Sequence, residues 1–90
     1  MDRKLPIGND GRASIVFPLT VATVREIGSA VQAMRKEQGL TQLDVAGLAG
    51  LGNRFVVELE KGKETVQMQK ALDVLALLGL ELVVRRKGEQ

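Results

Sequence analysis

The sequence predicts a mainly α-helical domain of four to five short helices, followed by one β-strand near the C-terminal end. Three observations predict it. Apolar residues recur at helical spacing in separate blocks between Thr23 and Leu78. A glycine closes each block, at Gly39, Gly50, Gly62 and Gly79, where a left-handed residue ends a helix. After Gly79 the period changes: Leu80, Leu82 and Val84 alternate with Glu81, Val83 and Arg85, mostly as in a strand.

Taken in order, residues 1–13 carry charges, two glycines and a proline and read as a mobile arm. "SIVFPL" continues that arm to residue 19 and is β-prone, with a possible short strand at 14–17. Pro18 limits it to an edge strand or an extended lead-in. Residues 20–79 form the helical domain. Its first helix opens at Thr23, where "TVRE" is a capping box: the hydroxyl of Thr23 accepts from the Glu26 N–H, and the Glu26 carboxylate accepts from the Thr23 N–H. Ile27, Ala30, Val31 and Met34 make one stripe, and Arg35 and Lys36 suit the negative C-terminal end.

The second helix opens at Thr41 with Asp44 three residues on. Leu43, Val45, Ala46 and Leu48 are expected to supply its apolar contacts. The third starts near Gly52, whose lack of a side-chain acceptor makes a weak cap. Leu51 and Val56 compensate as a hydrophobic staple, and Val56 and Leu59 face inward. "KET" links to a fourth helix over about Gln67–Leu78, with Met68, Ala71, Leu72, Leu75 and Leu78 on one stripe. Leu72, Val74, Leu75, Leu77 and Leu78 exceed a single stripe, so this helix offers both core and dimer surface. Residues 80–90 are the C-terminal strand and a basic tail of Arg85, Arg86 and Lys87. A lone strand cannot satisfy its backbone, so it needs either the 14–17 run or the same strand of a second copy.

Composition narrows the chemistry. Ninety residues make one domain near the lower end of what buries an adequate core. Phe17 and Phe55 are the only aromatics, so the core is aliphatic, and such small cores often gain burial by oligomerising. The chain has no Cys and no His, hence no disulfide, no thiolate metal site and no imidazole base. Its acidic residues are scattered singly, and Gly50 and Gly52 lack the Lys-Ser/Thr of a phosphate-cradling loop. An enzyme is the poorest reading, and no cofactor or metal is expected. No apolar run approaches a membrane span and no signal-peptide core is present, so a cytoplasmic protein is the default. The net charge of +2 does not announce nucleic-acid binding, and from Thr41 to Lys70 four basic residues meet four acidic ones.

The informative stretch is "TQLDVAGLAGLGNRFVVELEKGK", Thr41–Lys63: two short helices joined by a tight glycine turn, a helix-turn-helix. Ala46 is small enough for close packing, and Val45, Leu51, Val56 and Leu59 form the aliphatic wedge. Asn53, Arg54 and Glu58 are left on the outward face of the third helix. A helix of that size fits a DNA major groove about 12 Å wide, with its N-terminal residues at the base edges.

Leu40–Lys63 resembles the helix-turn-helix of the Xre/Cro family of phage-repressor-like regulators, with "LTQ", "VAGLAGLG" and "VVELEKGK" aligning without gaps. The resemblance covers roughly Thr23–Leu78 and implies a lambda-repressor-like bundle. Within the family, "GNRFVVELEKGKETVQ…ALDVLALLGLELVV" most resembles HipB-like antitoxins, in which a C-terminal strand pairs across a homodimer. The resemblance implies that Gln42 contacts phosphate, that Asn53, Arg54 and Glu58 read bases, and that the Lys61–Lys63 loop touches the DNA backbone. It implies a dimer interface at Leu80, Leu82, Val83 and Val84. It also implies a palindromic double-stranded DNA operator and a HipA-like kinase toxin as partners. Gly52 departs from the Ser or Thr usual at that position, which puts a side-chain phosphate contact there out of reach.

The residues taken alone leave other readings open. Arg54 and Glu58 also fit solvated surface charges, Phe55 fits either core packing or a thymine methyl, and Gln42 has no evident structural need. Glu60 suits a structural bond within the bundle or to Arg35. Arg85, Arg86 and Lys87 suit a solvated tail or flanking phosphates. As a whole, the chain fits an autoregulating repressor that is also an antitoxin, a stand-alone regulator without a toxin, or a protein-interaction module that keeps the fold without binding DNA.

Overall fold

Local contacts set the ends of the helices. In the computed structural model, which describes residues 15–88, α1 spans Val24–Glu37, α2 Gln42–Ala49, α3 Asn53–Lys61 and α4 Met68–Leu77. The arm expected over 1–13, Ser14 and the last two residues lie outside the described residues. Both expected capping boxes are formed. Thr23 Oγ1 accepts from the Glu26 N–H at 3.2 Å, and Glu26 Oε1 accepts from the Thr23 N–H at 3.0 Å. At α2 the Asp44 N–H donates to Thr41 Oγ1 at 3.0 Å, and the Thr41 N–H donates to Asp44 Oδ2 at 2.8 Å. These bonds hold both carboxyls below the usual range: the N–H groups of Ala22 and then Thr23 act on Glu26, and the N–H of Thr41 on Asp44.

All four helices stop by the same device. The residue after each closing glycine returns its N–H five residues back: Leu40 to Arg35 O, Leu51 to Ala46 O, Lys63 to Glu58 O and Leu80 to Leu75 O, at 2.8–3.0 Å. The glycines stand at φ +70° to +83°. The N-termini of α3 and α4, at Gly52 and Gln67, have no side-chain cap.

Packing runs α1 on α3, α3 on α2 and α2 on α4. The core is aliphatic: Val31, Val45, Ala46, Val56, Leu59, Ala71, Val74, Leu75 and Leu78. Each of its larger side chains contributes about 1.5–3 kcal/mol on burial. Phe55, Leu51, Ile27 and Met34 are half-buried against it. Gly28 lets α1 approach α3 closely. A Cβ there would lie 2.2 Å from Leu59 O and 2.8 Å from Glu60 O. At the end of α1, Gln38 Nε2 donates to Leu78 O at 2.8 Å and ties α1 to the end of α4.

Several expectations need correction. Leu43 and Leu48 are 67% and 63% exposed, so they do not supply the apolar contacts of α2. A two-turn helix wedged between α3 and α4 buries one narrow strip, and that strip is Val45 and Ala46 with half-buried Ala49. Met68 does not join the buried stripe of α4, because the whole entry turn Gln67–Lys70 is exposed. Four helices form, with no fifth among the described residues. No strand forms there either, neither at 15–17 nor at 80–86. Alternation produces a strand only where a neighbour pairs with its N–H and C=O groups, and among the described residues these two runs do not pair as strands. Leu80 instead rests half-buried on the core, while Leu82, Val83 and Val84 are 38%, 64% and 92% exposed.

Candidate nucleic-acid interface

The inner face of α3 is fixed by burial: Val56 and Leu59 are fully buried, and their neighbours on the other side of the helix must face solvent. A second anchor is polar. The Glu60 carboxylate, its side chain 2% exposed, takes Arg35 Nε at 2.6 Å on Oε2 and Arg35 Nη2 at 3.0 Å on Oε1. Arg35 Nη1 donates to Leu40 O at 2.9 Å, in the turn before α2. The carboxylate keeps the guanidinium protonated and pushes its pKa up. Gln32 and Gln42 add amide donors to the same Oε1, at 3.4 and 3.0 Å. One carboxylate on α3 therefore fastens α1, the α1–α2 turn and the first turn of α2. Of the two roles the sequence leaves open for Glu60, the structure has the bond to Arg35.

With those anchors set, Asn53 and Arg54 stand exposed on the first turn of α3, the Arg54 side chain at 90%. Gly52 caps that turn without a side chain, so its N–H groups carry the positive end of the helix dipole outward. Lys61 and Lys63 are exposed at the other end of α3 and in the loop behind it. Glu58 is partly covered and lies between two cations: Arg54 Nε at 3.2 Å from Oε2 and Lys63 Nζ at 3.2 Å from Oε1. Lys63 first, and Arg54 second, hold its carboxyl below the usual range.

Gln42 is half-buried, and its bond to Glu60 gives it a structural duty that the sequence did not disclose. Its second amide N–H remains uncommitted among the described residues and lies beside α3. The charge balance of Thr41–Lys70 also reads differently in three dimensions. Glu60 is buried against Arg35, which lies outside that segment, so the exposed charges there favour the cations by one. Gly28, Gln32 and Gln38 were missed. A glycine beside the inner stripe of α1 is itself a sign of close helix approach, but the two glutamines act over 28 and 40 residues and leave no local pattern. No group of acidic side chains that could hold a metal is present among the described residues, and no helix there is long and apolar enough to cross a membrane.

Comparison with known proteins agrees with this geometry. The family described as Helix-turn-helix matches residues 31–84. The uncharacterized HTH-type transcriptional regulator y4mF of Sinorhizobium fredii is 46% identical over 70 residues, which is 78% of this chain and 92% of that protein. Among solved structures, a HipB–O4 20mer complex and a HipA–HipB–O2–O3 complex share the fold. Each superposes with a TM-score of 0.70 at 16% identity, covering 77% of this chain and 97% of the matched one.

Proposed function

The chain belongs to the Xre-like helix-turn-helix family, and from that premise we propose that it is a sequence-specific DNA-binding repressor that acts as a homodimer. The observation that carries this reading is the first turn of α3. Asn53 and Arg54 are exposed at a helix N-terminus without a side-chain cap, while Val56, Leu59 and Glu60 lock the opposite face. Arg54 reads a guanine edge and Asn53 an adenine edge, the pairings their donor and acceptor groups favour. The free amide N–H of Gln42 and the ammonium groups of Lys61 and Lys63 take phosphates. Two copies of α3 enter successive major grooves about 34 Å apart on a palindromic operator.

Leu80, Leu82, Val83 and Val84 form the dimer contact, with residues 80–86 pairing as strands across the two-fold axis. The exposed apolar side chains of Leu82, Val83 and Val84 support this, as does the strand-like alternation of the run. We further infer that the protein is the antitoxin of a HipA/HipB-like operon, repressing its own promoter and binding a HipA-like kinase toxin. The shared fold with HipB in complexes named for operator DNA and for HipA supports that step.

A gel shift against the promoter of its own gene and a random duplex tests DNA reading. Arg54→Ala is expected to weaken operator binding by roughly five- to 150-fold, the worth of one bidentate base contact, with little change on random DNA. Equal losses on both would sink base reading by Arg54. Co-purification with the product of an adjacent kinase-like gene tests the antitoxin step, and a promoter-binding protein with no such neighbour would refute it.

A further inference from the structure

Arg54 and Arg35 are held by carboxylates in opposite ways. Arg35 commits Nε and both terminal nitrogens, to Glu60 and to Leu40 O. Arg54 is gripped through Nε alone, by Glu58 one turn further along α3, and its two terminal nitrogens have no partner among the described residues. Those terminal N–H groups are the fork that fits guanine O6 and N7. The other oxygen of Glu58 holds Lys63, so a single carboxylate restrains two of the cations on this face.

We propose that Glu58 is a positioning and specificity-determining residue: it presents the terminal fork of Arg54 to a guanine edge and opposes non-specific phosphate binding by Arg54 and Lys63. This rests on the DNA-binding reading above. The family resemblance implies base reading by Glu58, and a carboxylate suits a cytosine amino group; the geometry instead directs it along the protein surface to two cations. The arrangement suits a restraint that DNA can adjust. Arg preceding Glu is the weaker order for a helical i,i+4 pair, and Arg54 is almost fully exposed. A phosphate offers Arg54 only one anion in exchange for another. A guanine uses the terminal nitrogens and leaves the Nε bond in place. The Glu58 charge therefore acts chiefly against random sequence.

The test measures the full-length protein on its own promoter and on a random duplex of equal length, across a salt series, with melting curves showing that the variants fold. Glu58→Gln is expected to raise random-duplex affinity by up to about eightfold at 0.1 M salt and to steepen the salt slope by about 0.9, the effect of one charge in the counter-ion relation. Operator affinity rises less or falls, so the operator-to-random ratio drops. Glu58→Asp keeps the charge but loses the reach, so the ratio drops with random-duplex affinity near that of the original protein. In an Arg54→Ala background, Glu58→Gln lowers the ratio by less than it does in the original protein, because only the release of Lys63 remains. An unchanged ratio in Glu58→Gln, or an Asp variant that discriminates as well as the original, overturns the proposal while leaving DNA binding intact. A loss of discrimination in Glu58→Gln that persists at full size in the Arg54→Ala background overturns it in favour of direct base reading by Glu58. An original protein that binds neither duplex overturns this proposal and the DNA-binding reading together.

Discussion

Gly28 and Gly47 both lie inside helices, yet replacing each with alanine is expected to move stability in opposite directions. Intrinsic propensity favours Ala over Gly in a helix interior by about 1 kcal/mol, at either site. At Gly47, on α2, an added Cβ meets nothing within 4 Å, so that gain is realised in full. At Gly28 the Cβ would sit 2.2 Å from Leu59 O and 2.8 Å from Glu60 O, both backbone atoms. Reaching ordinary contact requires α1 to retreat from α3 by about 1 Å, because no rotamer change can relieve a carbonyl. Overpacking costs about 1–3 kcal/mol, and the upper end applies when backbone must move. Subtracting the propensity gain leaves a net loss of about 2 kcal/mol, a fall in Tm of roughly 8–16 °C for a domain of this size. Thermal unfolding of the two variants beside the original chain is the assay. Gly47→Ala should melt a few degrees higher and Gly28→Ala well below. A Gly28→Ala protein at or above the original Tm would refute the close α1–α3 contact on which the orientation of α3 depends.

Other expectations follow from the same contacts. Glu60→Ala leaves Arg35 buried without its counter-charge, and such a break costs about 3–5 kcal/mol, a large share of a small domain's stability; denaturant unfolding with a loss below about 1 kcal/mol would contradict the hub. Glu26, Asp44 and Glu58 have carboxyls held below their ordinary values, so their contribution is present above about pH 4.3 and is lost as pH falls through the lowered native values. With no histidine in the chain, Tm should stay flat between pH 5 and 7 and drop below about 4, and a transition near pH 6 would contradict this. Sedimentation should find the full chain dimeric and the truncated form 1–79 monomeric; a full-length monomer at micromolar concentration would end the strand-pairing proposal.

Much of the fold is legible in the sequence where the determining contact is short. Thr23 with Glu26, Thr41 with Asp44 and the glycine after each helix act within three to five residues, so their spelling alone places the helix ends. Leu43 and Leu48 show where that legibility stops. Their apolar character fits an inward face, but which strip of α2 is buried depends on where α3 and α4 pass.

The candidate site divides in the same way. By itself the sequence determined that Asn53 and Arg54 open the third helix, because helical spacing and capping are local properties; for Glu60 it offered a bond within the bundle or to Arg35 and did not choose between them. Only the tertiary structure decided that Gln42 is tied to Glu60, that Gly28 sits against the Leu59 carbonyl, and that Glu58 reaches Lys63 as well as Arg54. The first two depend on how the helices cross; the third depends on the left-handed turn at Gly62, which brings Lys63 back beside Glu58, and on the rotamers the three side chains adopt. The residues after Gly79 stand at the boundary: their alternation suits a strand, but a strand exists only with a partner strand, and none forms among the described residues.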